Sequence, residues 1–277
     1  MPNPAVRALF DGMASTYHDL EPWYEHLYVL LHEILDRHIG PSPAGGRALD
    51  AGCGTGFQTA RLADLGWQAH GVDISGGLLA VARQHVSQAE LTRATLESLP
   101  YGDASFDVAV CCGSTLSFVD DPRRALAELG RVLRGGGRLL LECEHRPSLD
   151  LAWTLASALS GDRLGYGVPL REAWRALVAR ADVRVPYPGY GMLRLFRRRE
   201  LHAMLRAVGF TPIREWGVHS ITNVIPSPLL HRASLARPLA TTYRALRRLD
   251  TALAPTRTGR ALANSLVILA ERAQPAA

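Results

Sequence analysis

A chain of 277 residues with 47% hydrophobic content can bury one substantial core with an appended subdomain, or two small domains, at about 100–200 residues each, which excludes extended disorder. The net charge of +5 rests on arginine alone, because the chain contains no lysine. Enzymes built on a Schiff-base lysine, and nucleotide hydrolases whose glycine-rich loop ends in lysine, are therefore excluded. The longest apolar runs, such as Leu27–Leu31 and Leu266–Ala270, fall well short of the roughly 20 residues of a membrane helix, so no spanning segment is predicted. The first residues mix Arg7 and Asp11 with apolar ones and lack the unbroken apolar stretch of a secretory signal, so a cytoplasmic location is expected. Cys53, Cys111, Cys112 and Cys143 lack the paired spacing of a zinc site, read as reduced core thiols, and predict no metal.

From Trp23 to Ile39 the apolar residues Leu27, Leu30, Leu31, Ile34 and Leu35 recur at three and four, one face of an amphipathic helix that stops at Gly40-Pro41. Residues 1–40 are thus read as a helical N-terminal lid. Strand and helix signals then alternate. A strand over Arg47–Asp50 leads into a glycine-rich turn and a helix, followed by Trp67–Asp73 as strand, Gly77–Gln88 as helix and Thr92–Leu96 as strand. Phe106–Cys112 is read as strand, Pro122–Leu133 as helix and Leu139–Cys143 as strand, with Gly135-Gly136-Gly137 turning the chain between the last two. Such alternation implies a mostly parallel sheet with helices on both faces, here a core over residues 41–146.

Beyond His145 the alternation lapses, and Leu149–Leu159 and Glu172–Ala181 read as helices of an insertion spanning residues 147–197. Residues 198–277 are expected to complete the sheet, with a helix over Glu200–Val208 and strands at Thr211–Val218 and Ser265–Glu271. A further helical insertion at about residues 219–263 is centred on Leu239–Leu253. The expected architecture is a Rossmann-like, doubly wound α/β fold: a mostly parallel seven-stranded sheet with an antiparallel last strand, a helical leader and helical insertions.

The stretch Asp50-Ala51-Gly52-Cys53-Gly54-Thr55-Gly56 sets three glycines between an apolar strand and a helix mouth. Glycine lets the backbone pass close under a ligand, and the free amides of the following helix favour a carboxylate or phosphate. About twenty residues on, Gly71-Val72-Asp73 ends the second strand where a carboxylate can accept both hydroxyls of a ribose, so an adenosine-containing ligand is expected. Dinucleotide dehydrogenases space their glycines as G-x-G-x-x-G, unlike the G-x-G-x-G found here.

At these residues the sequence resembles the class I S-adenosylmethionine-dependent methyltransferases. The likeness continues through Leu99-Pro100-Tyr101, Ser105-Phe106-Asp107, Asp121-Pro122, Glu128 and Arg131 to Gly137, covering roughly residues 47–145. The resemblance implies S-adenosylmethionine as cofactor and S-adenosylhomocysteine as product. It places Gly52, Gly54 and Gly56 under the methionine moiety, Asp50 and Ala51 beside it, Asp73 on the ribose and Ile74 against the adenine. Leu96, Glu97 and Cys112 complete the implied cofactor contacts, although Thr95 stands where the family often carries an acid. The leader Phe10-Asp11-x-x-Ala14-x-x-Tyr17-His18-Asp19 is similar to the opening of small-molecule and quinone-ring methyltransferases, where it closes over both ligands.

The acceptor is expected beyond the carboxyl end of the sheet, near Ser114 and Leu116. No Asn/Asp-Pro-Pro-Tyr/Phe element follows the fourth strand, which disfavours adenine or glutamine amino groups as acceptors. His145 at the end of the fifth strand is the first choice for a base, with His219 as a comparable position lining the acceptor site and Glu144 to orient either. Trp153, Trp174, Tyr187, Tyr190 and Tyr243 lie in the insertions and could line an apolar or aromatic acceptor site. The predicted reaction is methyl transfer to a small, apolar or aromatic acceptor. The alternatives are a lipid-like quinone precursor with peripheral membrane contact, an RNA acceptor suggested only by Arg197–Arg199 and Arg244–Arg248, or a non-methylating protein of the same fold. Nucleic acid is the disfavoured partner, and both monomer and homodimer are compatible with the sequence.

Overall fold

A computed structural model of the chain describes residues 4–17, 22–179, 183–187, 191–231 and 235–274. Two helices lead, α1 (Pro4–Met13) and α2 (Pro22–Ile34). The latter widens into a π-helical turn at Leu35–Ile39 and ends at Gly40, whose φ of +72° only glycine adopts at little cost. The core follows as β1 (Arg47–Ala51), α3 (Phe57–Asp64), β2 (Gln68–Asp73), α4 (Gly76–His85) and β3 (Glu90–Arg93). It continues with β4 (Phe106–Cys111), α5 (Thr115–Phe118), α6 (Pro122–Val132) and β5 (Leu133–Glu144). After α7 (Leu149–Leu159), α8 (Leu170–Val178), β6 (Val183–Tyr187) and β7 (Gly191–Leu195) come α9 (Arg198–Ala207) and β8 (Phe210–Val218). The chain closes with α10 (Ser227–Leu230), α11 (Arg237–Leu253), α12 (Arg257–Leu262) and β9 (Ser265–Arg272).

The main sheet has seven strands in the order β3-β2-β1-β4-β5-β9-β8, parallel except for β9, which runs antiparallel to both neighbours. One apolar layer, with Leu126, Leu129 and Leu205, covers one face; α2 and α3 cover the other through Leu31, Leu35 and Leu62. Because the sheet is buried on both sides, its central strands are nearly continuous apolar runs, which is why they read clearly in the sequence. The reversal of strand order between β1 and β4 opens a crevice at the carboxyl ends of these strands, where ligands of such folds bind.

Three local expectations change. The third strand ends at Arg93 instead of beginning at Thr92, because residues 94–98 form a tight turn closed by a Thr95–Ser98 bridge that tucks Leu96 inside. Gly135–Gly137 do not separate a helix from a strand: β5 begins at Leu133, and the glycines form an irregularity where the β4 pairing shifts register between Phe106 and Val108. The stretch read as a helical insertion also contains an antiparallel hairpin, β6 with β7, pairing Val183 with Leu195. Its alternating Val183, Val185, Leu193 and Leu195 are buried together with Leu151 and Ala176, so tertiary packing selects the two-residue period there.

A Cβ at position 137 would lie 2.8 Å from the Arg134 carbonyl oxygen and 3.0 Å from that of Asp107. Gly137→Ala is therefore expected to cost about 1–3 kcal/mol through backbone displacement, read as a lower urea midpoint at unchanged slope.

Candidate functional site

At the carboxyl end of β1 the chain takes positive φ at Gly52, Gly54 and Gly56 (+83°, +53° and +92°). The amides of Gly52 and Cys53 both donate to the Val72 carbonyl, folding this loop over the end of β2. Asp73 then fixes the geometry: its Oδ2 accepts from the Gly54 amide at 2.9 Å and its Oδ1 from the Ser75 amide at 2.8 Å. Ser75 caps α4 by accepting from the Leu78 amide at 3.0 Å, and its hydroxyl donates to Asp11 of α1 at 2.6 Å. Asp11 also accepts from the Gly77 amide at 3.0 Å, so the leader helix is pinned to the same turn that orients the glycine loop.

Between these elements lies a cavity that opens partly to solvent. Its base is Gly52 to Thr55 with Gln58; Asp73 and Ile74 form one side, and Thr95 to Glu97 another. Val6, Phe10 and Tyr17 of the leader roof it, and Cys112, Gly113 and Phe118 close the far end. Phe10 meets Phe118 edge to face with centroids 5.2 Å apart, and Tyr28 stacks on Phe57 at 5.0 Å, so aromatic packing seals the roof.

A second, small cavity shares Tyr17, Gly113 and Phe118 with the first, and is completed by Tyr24, Ser114, Glu144 and Leu193. Ser114 adopts φ +58°, unusual for a residue with a side chain, and bridges two buried acids. Its amide donates to Glu142 at 2.7 Å and its hydroxyl to Glu144 at 3.0 Å. Asn264 Nδ2 donates to the other Glu144 oxygen at 2.7 Å. Burial, and after it the neighbouring Glu142, pushes the Glu144 carboxyl well above the usual carboxylate range, and burial also raises Glu142.

The profile of a family described as a methyltransferase domain matches residues 49–141. Over 173 residues the chain is 31% identical to malonyl-acyl-carrier-protein O-methyltransferase of Serratia marcescens, covering 61% of this chain and 67% of that one. The chain belongs to the class I S-adenosylmethionine-dependent methyltransferases. Demethylmenaquinone methyltransferase of Clavibacter sepedonicus is 35% identical over 142 residues, 50% of this chain and 57% of that one. The chain thus spans between about half and two thirds of these relatives' lengths. The solved structure of Burkholderia thailandensis 1,6-didemethyltoxoflavin-N1-methyltransferase, with S-adenosylhomocysteine bound, shares the fold at a TM-score of 0.56 and 19% identity, covering 98% of this chain and 89% of that one.

The large cavity fits the family's cofactor. Thr55 Oγ1 and Gln58 Nε2 are buried in its wall without a hydrogen-bond partner, two polar atoms for the amino acid end of S-adenosylmethionine that the sequence reading had not singled out. A Cβ at Gly54 would meet only Tyr17, at 3.7 Å, so this glycine faces open space. Asp73, its two oxygens held by Gly54 and Ser75, lines the same wall, with Ile74 and Leu96 as apolar surface beside it. Glu97 is held by the Thr95 hydroxyl at 2.9 Å and the Asp121 amide at 2.7 Å, so the threonine at the family's acid position orients an acid two residues later.

Several expected residues stand elsewhere. Asp50, Ala51 and Gly56 do not line the cavity: Ala51 is core, Gly56 lies against Val86, and Asp50 accepts from the Thr59 hydroxyl at 2.6 Å beneath the loop. Leu116 is wholly buried in the main core because α5 turns that face inward, away from the acceptor side. His145 points to the opposite side of β5 from Glu144, its Nδ1–H donating to the Ala263 carbonyl at 3.1 Å, and reaches neither cavity. His219 is buried beside His26 at 5.2 Å and shares a hydrogen bond with Thr222 at 3.1 Å. With Asp250 these histidines bring possible metal-ligand atoms within 4.8 Å of one another. The carboxylate already accepts from the Ser220 and Ile221 amides at 2.7 Å and from His26 at 2.9 Å, so it ties α11 to α2 and to the turn after β8. Trp153 donates to the Asn223 carbonyl, Trp174 is 58% exposed and Tyr243 of α11 packs against Ile225 and Leu230, so none of them reaches either cavity. Tyr190, the side chain of Tyr187, His18 and Asp19 lie outside the described residues.

Asp73→Ala is expected to weaken S-adenosylmethionine binding about 10- to 100-fold, the loss of hydrogen bonds to a charged group, in calorimetric titration. Burial pushes the Asp50 carboxyl from an ordinary 3.8 up to about 7. The folded state therefore holds a proton that the unfolded state has released, and stability falls as pH rises from about 4 to 7. Asp50→Asn, which keeps an acceptor for Thr59, is expected to flatten that fall in urea midpoints measured across this range.

Proposed function

We propose that the protein transfers the methyl group of S-adenosylmethionine to a small, apolar or aromatic acceptor seated between Tyr17, Tyr24, Phe118 and the Glu144 carboxyl. The observation that carries this reading is the pair of cavities with a common wall at Tyr17, Gly113 and Phe118, one fitting the cofactor and the other ending on a buried carboxyl. The bound cofactor supplies an electrophilic methyl group on a sulfonium, displaced in line by the acceptor's nucleophile. The protein's task is alignment and exclusion of water.

The leader helix, fastened through Asp11, roofs both reactants with Phe10 and Tyr17. Ser114 and Asn264 hold Glu144 in one orientation, so that in its ionised form it accepts the proton leaving the acceptor's nucleophile. Quinone-ring acceptors are a second reading, supported by the demethylmenaquinone methyltransferase relative and the aromatic walls at Tyr17 and Tyr24. No helix among the described residues is long and apolar enough to cross a membrane.

The direct test is an acceptor screen that follows S-adenosylhomocysteine formation, in which turnover requires an acceptor. Glu144→Gln is expected to lower kcat about 100-fold or more without changing cofactor affinity. Because burial raises this carboxyl, the wild-type rate rises with pH through a titration above the ordinary carboxylate range, and the variant loses that rise. Wild-type kinetics in Glu144→Gln would remove this residue from the reaction.

A further inference from the structure

A third small cavity lies on the far side of Glu144 and shares both Glu144 and Leu193 with the acceptor cavity. Its walls come from α7, the loop before α8 and the β6–β7 hairpin. They are mostly apolar, with Leu151, Val168, Val185 and Leu195. A second buried acid, Asp150, faces it. Asp150 is fixed from behind by the Tyr166 hydroxyl at 2.5 Å and by the amide and hydroxyl of Ser227 at 3.3 and 3.0 Å. Glu144 and Asp150 thus look into one apolar space, with Glu142 buried behind them.

Among the described residues no arginine or histidine lines any of these three cavities, although the chain carries 31 arginines and the charge of His231 acts on Asp150 from outside the wall. The nearby Arg146 is buried but directed at the end of α8, its Nη1 donating to the Ala179 carbonyl at 2.6 Å, and it lines none of these cavities. Burying acids without a cation is costly unless a ligand brings the compensating charge or donors. In their ionised forms these acids repel an anionic acceptor.

We infer that the acceptor is an apolar, ring-bearing amine whose nitrogen sits at Glu144, where the acceptor cavity meets the third one, with Asp150 and the apolar Leu151, Val185, Leu193 and Leu195 around the part that extends beyond it. This rests on the methyl-transfer reading and narrows its substrate class. An amine arrives protonated, binds through charge-assisted hydrogen bonds and gives a proton to the Glu144 carboxylate, which exposes the nitrogen lone pair. The nitrogen–carbon bond forms as the sulfur–carbon bond breaks. The sulfonium charge passes to the methylated ammonium, and the proton on Glu144 returns to solvent.

Calorimetric titration of the full chain saturated with S-adenosylhomocysteine, using 2-phenylethylamine, 2-phenylethanol and phenylacetate at pH 8, tests the inference. The amine is expected to bind about tenfold or more tightly than the alcohol, and the acid not to bind measurably. Glu144→Gln is expected to erase the amine's advantage while leaving S-adenosylhomocysteine affinity intact, which also shows that the variant is folded. Equal or tighter binding of the alcohol or the acid, binding by none of the three, or an amine preference that survives Glu144→Gln would each overturn it. Loss of S-adenosylhomocysteine binding would instead overturn the cofactor reading. Preferred binding of the amine without S-adenosylhomocysteine formation from S-adenosylmethionine would overturn the amine as acceptor.

Discussion

The carboxylate of Asp73 is the contact on which the rest of the site depends. By accepting from Gly54 on one oxygen and Ser75 on the other, it locks the loop after β1 to the turn after β2. Through Ser75 the same turn receives Asp11 from the leader helix. One acid therefore sets the cradle, the cap of α4 and the position of the roof. It does so at the point where the strand order reverses, which is where an α/β sheet leaves room for a ligand.

On the other side of the cradle the constraint is electrostatic. Glu142, Glu144 and Asp150 are all buried, and burial raises all three carboxyls. Hydrogen bonds from Ser114, Asn264, Tyr166 and Ser227 offset part of that cost without removing the mutual repulsion. A structure that keeps such groups together forgoes stability that an apolar core would provide, and ligand-binding regions commonly show this trade. The strained φ of Ser114 belongs to the same pattern, since it lets one residue reach two acids.

The cavity beside the glycine loop was legible in the sequence because its parts are local: glycines after an apolar strand, and an acid at the end of the next one. Gly52, Gly54, Asp73, Ile74, Leu96, Glu97 and Cys112 all reach the cavity. The cavity at Glu144 was less legible because it is assembled across distance. Glu144 meets Ser114 of another strand's loop, Asn264 before the last strand and Leu193 of a hairpin that had read as part of a helical insertion. Position along a strand separated neither His145 from Glu144 nor Leu116 from Ser114, since adjacent side chains on β5 face opposite ways and α5 turns Leu116 into the core. Thr55 and Gln58 lay beside the motif, but only their burial without partners marks them.

The measurement that bears most directly on this account is a crystal structure of the full chain with S-adenosylhomocysteine. The account predicts the ribose on Asp73, the homocysteine end beside Gly52, Thr55 and Gln58, and the sulfur directed past Gly113 toward Ser114 and Glu144. The ligand bound elsewhere, or bound with its sulfur directed away from Glu144, would contradict it.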